Sequence, residues 1–225
     1  MRVYAPNLPE QPDGTIVPRF QFPMPPSWIL IRLALETRAW HGPADADRLQ
    51  LLEHATPDTY RDFLEAVYGF ELRCEEAFLL APDVDPRVLR PRLKMARLRE
   101  DLRALGRTEP ELAAVPQPDD VPAFTSPAHA MGWLYAIERN TLLHGLLRRH
   151  LAGVLPVELD RASSYLTSYD EPGAGVLYRE LGTALEETAR LAFTPGQIVE
   201  AACEAFDAQH RWFASVASAE LLLAS

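Results

Sequence analysis

Apolar residues recur three and four positions apart along Met131–Leu151, a stretch that contains no proline. This spacing predicts a long helix that is buried over most of its circumference. The same stretch carries four polar side chains that a plain core helix does not need: Glu138, Arg139, Asn140 and His144. Because a buried charge or amide must be paired, this helix either is half buried or lines a site.

Seven further helices are predicted from apolar periodicity, capping residues and proline or glycine stops. They cover about 28–41, 44–54, 57–81, 89–105, 157–166, 176–191 and 195–218. The first is expected to end at Gly42-Pro43, since proline interrupts helical hydrogen bonding. Residues 107–127 are expected to be a connection with at most one helical turn, and residues 168–175 a loop. No alternating strand pattern of useful length occurs, so we predict an all-α fold of about eight helices.

Residues 1–27 hold seven of the twenty prolines. They are predicted to form an extended arm that precedes a helical domain at 28–225. The arm carries four apolar side chains with which it could wrap that domain: Val17, Phe20, Phe22 and Met24.

The charge balance and cysteine usage narrow the partners and the compartment. A formal charge of −10 argues against a nucleic-acid partner. No apolar run approaches the roughly 20 residues of a membrane-spanning helix, and the N-terminus lacks the apolar region of a secretory signal. Cys74 and Cys203 lie in helix-like surroundings and are expected to be reduced core thiols. Together these features predict a soluble cytoplasmic protein.

Common catalytic motifs are missing from the chain. It has no phosphate-binding glycine loop, no nucleophile elbow and no paired cysteines with zinc-ligand spacing. Asp207 and His210 lie three residues apart on a predicted helix, which suits either a metal or, as we prefer, a surface ion pair. His41 ends an otherwise apolar helix, where a histidine is either a C-terminal cap or a ligand. His144 has the same two interpretations.

Four segments, taken in order, are similar to the bacterial heme oxygenases, especially the type associated with bacteriophytochromes. They are Arg32, Leu33, Thr37 and His41; Thr56–Leu64 with Tyr68–Phe70; Leu98–Gly106; and Tyr169–Glu180. The resemblance covers residues 28–217. It implies a heme oxygenase-like helical fold with heme b as substrate or ligand, and it places His41 where the proximal iron ligand belongs. It also implies that Arg179 pairs with a heme propionate.

The helix predicted over Met131–Leu151 departs from the family pattern, which is Gly-x-Leu-Tyr-Val-Leu-Glu-Gly-Ser-Thr-Leu-Gly-Gly. Arg139, Leu143 and His144 replace its last three glycines, and Asn140 replaces its serine. In the family those glycines let the helix backbone lie close to the heme and leave room for dioxygen and an ordered water. Arg139 and Leu143, four residues apart, would put side chains on the face where heme would lie.

Three interpretations follow from this conflict. In the first, the protein is an active heme oxygenase: His41 binds heme, Asn140 holds the water, and an external donor such as ferredoxin or flavodoxin supplies electrons for cleavage to biliverdin, iron and CO. In the second, the protein binds heme without turnover, and His144 is a second axial ligand. In the third, it is a heme-free regulatory or interaction protein, in which Arg139 pairs with Glu138 or another buried acid and Leu143 fills the old pocket.

Overall fold

The computed structural model describes residues 27–169 and 173–223, apart from the side chains of 174 and 219–223. Within these ranges the chain is helical. The helices are α1 (Trp28–Glu36), α2 (Arg38–Glu53), α3 (Pro57–Leu80), α4 (Pro86–Leu89), α5 (Met95–Ala104), α6 (Glu109–Ala113), α7 (Pro127–Asn140), α8 (His144–Val154), α9 (Pro156–Arg161), α10 (Gly173–Thr188) and α11 (Thr194–Leu223), with 3₁₀ turns at Arg90–Arg92 and Thr141–Leu143.

This architecture confirms the predicted all-α class. Eight of the eleven helices in the described ranges are nine residues or longer, in line with the expected number. The predicted arm, except Ser27, lies outside the described residues, as do residues 170–172 of the predicted loop. None of the helices described here has the length and apolar character that crossing a membrane requires.

Helix α7 lies at the centre of the fold and packs most extensively on α11. Its residues 130–138 are all buried. The two helices approach closely at Gly132, where an added Cβ would meet the Ile198 carbonyl oxygen and lie 2.6 Å from Ala201 Cβ. Alanines line the facing side of α11, including the buried Ala202 and Ala205. Small residues on both helices therefore permit the short separation.

The predicted end of the first helix at Gly42-Pro43 is wrong. The helix breaks earlier, at Thr37, and α2 then continues through Pro43 to Glu53. The buried hydroxyl of Thr37 donates to the Leu33 carbonyl at 2.7 Å, a side-chain bond that competes with the helical ladder. Pro43 removes one backbone donor, and the burial of the helix beyond it outweighs that loss.

Several other predicted helices have different limits. The helix expected over 176–191 is α10, Gly173–Thr188, so it begins inside the predicted loop 168–175 and ends three residues early, and the helix expected over 195–218 continues to Leu223 as α11. The helix expected over 89–105 is divided into α4, a 3₁₀ turn and α5. The helix expected over 131–151 begins four residues earlier and is broken by the 3₁₀ turn Thr141–Leu143. The helix expected over 157–166 stops at Arg161, because Asp101 accepts hydrogen bonds from the backbone amides of Ser164 and Tyr165, each at 2.8 Å.

We predict that Gly132→Ala lowers the free energy of unfolding by about 1–3 kcal/mol, because a methyl group there forces α7 and α11 apart. Chemical denaturation monitored by circular dichroism measures the change. Gly145→Ala is the control, since its Cβ would meet nothing within 4 Å. That variant should be as stable as the parent or up to roughly 1 kcal/mol more stable. Equal stabilities for the two variants would contradict the close approach.

Candidate functional site

The break between α7 and α8 lies beside α2, and α2 packs on both α8 and α11. The break is the 3₁₀ turn Thr141–Leu143, in which the Thr141 hydroxyl donates to the Glu138 carbonyl at 2.6 Å. We call the region where α2 meets this break, across the Arg139–Asp45 contact, the gap. The residues predicted from sequence as ligands or distal groups, His41 and 139–144, come from the two sides of the gap.

His41 lies in the first turn of α2 with a half-buried ring. Its Nε2 is 2.8 Å from the Thr37 hydroxyl oxygen, and its ring packs edge-on against Phe206 of α11, with centroids 5.6 Å apart. Because the Thr37 hydroxyl donates to Leu33, its oxygen accepts from Nε2–H of the imidazole. Coordination of an iron through Nε2 therefore requires the ring to leave Thr37.

Burial lowers the pKa of His41, and the nearby Arg139 lowers it further, while Asp45 opposes the shift. The imidazole is therefore neutral at neutral pH. A neutral imidazole carries the lone pair that ligation of a metal needs.

Arg139 and Asp45 form a bidentate ion pair that crosses the gap. The two terminal guanidinium nitrogens of Arg139 lie 2.5 and 2.9 Å from the two carboxylate oxygens of Asp45. Asp45 is one helical turn beyond His41 on α2, and Arg139 is the penultimate residue of α7. The paired carboxylate raises the pKa of Arg139, so the charge persists at every accessible pH. We call this ion pair the bridge; it occupies the face where the family has glycine.

Asn140 and Leu143 both point away from open solvent. Asn140 is 1% exposed and donates its amide to Gln209 Oε1 of α11 at 2.7 Å. Its own Oδ1 and the Nε2 of Gln209 have no partner within the described part of the chain. Leu143 is half buried and packs on the core. The amide expected to hold a water is thus bound to α11 and keeps one acceptor oxygen free.

His144 is buried, with its ring centroid 4.5 Å from that of Tyr165. Neither ring nitrogen has a hydrogen-bond partner among the described residues. Burial holds the pKa of His144 well below its usual range, and the cations Lys94 and Arg48 act in the same direction. For His144 to serve as the predicted second axial ligand, its ring would have to leave this packing.

Behind the break lies a set of buried ionic side chains that sequence reasoning did not assemble. We call Arg48, Glu71, Arg92, Lys94 and Glu138 the charged cluster; each is 3% exposed or less. Lys94 Nζ is 2.8 Å from Glu138 Oε1, and the hydroxyls of Tyr165 and Tyr169 donate to Glu71 and Glu138. Buried ions of both signs compensate one another here. Only Glu138 was visible in advance, as an acid within a buried apolar pattern.

Glu75, on the α3 side of this cluster, caps α5. Its carboxylate accepts hydrogen bonds from the backbone amides of Lys94 and Met95, the latter at 3.1 Å. Burial raises the pKa of Glu75 to about 7, although the Lys94 amide and ammonium oppose the shift.

The predicted metal spacing on α11 is not used as a pair. Asp207 accepts a hydrogen bond from the Trp40 indole at 2.7 Å, and His210 Nδ1 lies 2.9 Å from Asp47. Both partners, Trp40 and Asp47, are on α2. Asp207 and His210 therefore act neither as a pair of metal ligands nor as an ion pair within α11. Across the described residues, no three His, Cys, Asp or Glu side chains are grouped so as to hold a metal ion.

Arg179, the residue predicted to meet a propionate, is exposed on α10. The preceding residue, Tyr178, hydrogen-bonds Tyr135 of α7, and burial raises the pKa of the Tyr178 phenol. The hydroxyl of Tyr135 also forms a hydrogen bond with the hydroxyl of Thr37. A chain of hydroxyls therefore connects the α10 surface with the His41 side of the gap.

Comparison with known proteins supports the fold. A solved structure of the heme oxygenase from Neisseria meningitidis, in NO- and CO-bound forms, superposes with a TM-score of 0.64. The two sequences are 18% identical, and the match covers 84% of this chain and 91% of that one. No model of a known protein family matches the chain, and no curated protein sequence does. The chain therefore has a heme oxygenase-like fold; at this identity the likeness carries no residue roles with it.

We predict that Glu75→Gln changes how stability depends on pH. A carboxyl whose pKa is raised from 4.5 to about 7 in the folded state favours folding below pH 4.5, and this contribution is lost as pH rises through 7. Glutamine keeps a side-chain oxygen that accepts from the backbone amides of Lys94 and Met95, and it never ionises. Relative to the parent, the variant should therefore gain about 2–3 kcal/mol between pH 5 and pH 8 in urea unfolding.

Glu76→Gln, the exposed neighbour, is the control, and its stability difference from the parent should be nearly the same at both pH values. A Glu75→Gln difference that does not grow with pH would show that this carboxyl ionises normally in the fold.

Proposed function

We propose that this protein binds heme in the gap, with His41 as the ligand of the iron. The observation that carries the proposal is the neutral, half-buried imidazole of His41 on α2, beside the break between α7 and α8. The similarity of the fold to that of a bacterial heme oxygenase supports it. The bacteriophytochrome-associated type remains part of the proposal.

The donor groups on both sides of the gap suit a heme. His41 supplies the imidazole, and Asp45, one turn away, would be the carboxylate that orients it after release from Arg139. Arg179 would meet a propionate, Leu143 the porphyrin face, and Asn140 would hold a water through its free oxygen. When bound, heme would supply iron that activates dioxygen with electrons from an external donor such as ferredoxin or flavodoxin, giving biliverdin, iron and CO.

The bridge must open before a porphyrin can enter the gap. A charge-assisted hydrogen-bonded pair contributes about 1.5–3 kcal/mol. Opening the bridge at this cost lowers heme affinity roughly 10- to 100-fold. Micromolar affinity corresponds to about 8 kcal/mol, so a cost of this size does not abolish binding. Arg139 thus tunes binding in this proposal and does not exclude it.

A second candidate is a heme-free regulatory or interaction protein that keeps the fold. The packing of α2 on α8 and the closure of the gap by the bridge favour it. In this reading, Arg139 and Leu143 fill the space that the family reserves for heme. Hemin binding separates the two candidates.

Hemin titration of the purified protein should give a saturable Soret change. His41→Ala should weaken binding by more than the roughly 10-fold that loss of an outer-shell partner costs a metal site. His150→Ala, which changes a half-exposed histidine of α8, is the control. Absence of a saturable Soret change in the parent protein would leave only the heme-free candidate.

The same titration tests the second axial ligand. If His144 ligates the iron, the parent spectrum should be low-spin and should lose that character in His144→Ala. A spectrum that is unaffected by the substitution would remove this ligand. Biliverdin absorbance after addition of a reductant then separates turnover from binding alone.

Arg139→Ala should bind hemin roughly 10- to 100-fold more tightly than the parent, because opening the bridge no longer opposes entry. Arg149→Ala, an exposed α8 arginine, should leave the affinity unchanged. If hemin binds the parent and Arg139→Ala equally, the bridge does not span the binding site. A lower melting temperature for Arg139→Ala without any hemin response would support the heme-free candidate.

A further inference from the structure

A groove of about 490 Å³ lies on the side of α10 away from α1, and the heme proposal makes no use of it. The 83–88 segment, the start of α7, the end of α10 and the start of α11 form its walls. Its apolar lining includes Val84, Val88, Met131 and Leu191. Leu191 is 74% exposed, and Phe193, two residues on, is 86% exposed. Beside an apolar groove, these two exposed side chains form the kind of contiguous apolar patch that a partner covers.

The charged residues of the groove are acidic. Asp83, Asp85 and Glu187 line it, and Asp85 is already bound by Arg87. A fitting occupant therefore combines apolar side chains with a cation.

The segment that enters α1 begins across the solvent face of α10 from this groove. The Ser27 hydroxyl donates to the Gly182 carbonyl at 3.1 Å, and the Trp28 amide donates to Glu186. Ala184, on the groove wall, is two residues from Gly182 and so about 200° further round α10. Ser27 thus lies at one edge of the solvent face of α10, and the groove opens at the other edge.

The residues before Ser27 have the length and chemistry to reach across. The solvent face of a helix is about 10–12 Å wide, and a chain in the β conformation covers about 3.3 Å per residue. Phe22, five residues before Ser27, is the first large aromatic side chain that could reach the groove, and Phe20 lies beyond it in the sequence. Phe20, Phe22 and Met24 alternate with other residues, so the β conformation would place them on one face. Arg19 supplies a cation for Asp83 or Glu187.

We propose that residues 19–24 of the same chain dock in this groove, with Phe20 and Phe22 against Met131 and Leu191. Tethering favours this occupant over a separate peptide, because a short linker holds the segment near the groove at an effective concentration in the millimolar range. The proposal stands independently of heme binding.

Photo-crosslinking in the full-length protein tests it. With benzoylphenylalanine in place of Phe20, irradiation should join position 20 to peptides that contain Val84–Val88, Met131 or Leu191–Phe193, as read by mass spectrometry. Leu191→Asp combined with Phe193→Asp should reduce this product at least about ten-fold, since burying one large apolar side chain contributes that much or more. Both side chains are exposed, so the fold should persist, and circular dichroism checks this.

Val157→Asp, an equally exposed apolar residue on α9, is the matched control and should leave the product unchanged. Cross-links to other helices, or yields unaffected by the Leu191 and Phe193 changes, would overturn the proposal. A product joining two protein molecules in place of the internal product would assign the groove to a second copy and would also overturn it.

Discussion

The neutralisation of Glu138 is the constraint on which the centre of this fold depends. Helix α7 is buried along residues 130–138 because it lies so close to α11. A carboxylate in that position has no access to water, and a buried charge must be compensated. Lys94 and Arg92 provide the compensation from the segment that joins α4 to α5. The path of that segment, and with it the cap that Glu75 gives to α5, follows from one acid on α7.

The next residue has the opposite relation to the core. Arg139 directs its charge outward across the gap to Asp45, whereas Glu138 directs its charge inward to Lys94. Two adjacent residues thus anchor the end of α7 to the charged cluster on one side and to α2 on the other. The break at Thr141–Leu143 comes immediately after the end of α7 in the sequence. The end of α7 is therefore held by two separate ion pairs, one buried and one partly exposed.

The sequence predicted the fold class and the order of the main helices well, because apolar periodicity and capping residues act locally. The helices expected over 57–81 and 195–218 are examples, since Thr56 caps α3 and Pro195 lies in the first turn of α11. Helix limits failed where distant groups intervene. Asp101 ends α9 from 63 and 64 residues away, and packing beyond Pro43 carries α2 past a residue that favours a stop.

The candidate site was predictable to a similar extent. Glu138, Arg139, Asn140 and His144 were singled out as unsuited to a plain core helix, and an acidic partner for Arg139 was one of the interpretations. Asp45 itself was not identified, since no local pattern connects residues 94 positions apart. The direction of His144 was beyond sequence reasoning as well, because a helix turned into a 3₁₀ conformation no longer follows the 3.6-residue period.

The bridge has a further consequence that follows from its chemistry. An apolar plug across the gap would hold equally well in any buffer, whereas an ion pair at partly exposed positions weakens as mobile ions screen it. The Asp45 side chain is 26% exposed and that of Arg139 13%, so salt reaches this contact far more readily than it reaches the charged cluster. Ionic strength therefore acts selectively on the separation of α2 from α7, and leaves the interior that supports both helices intact.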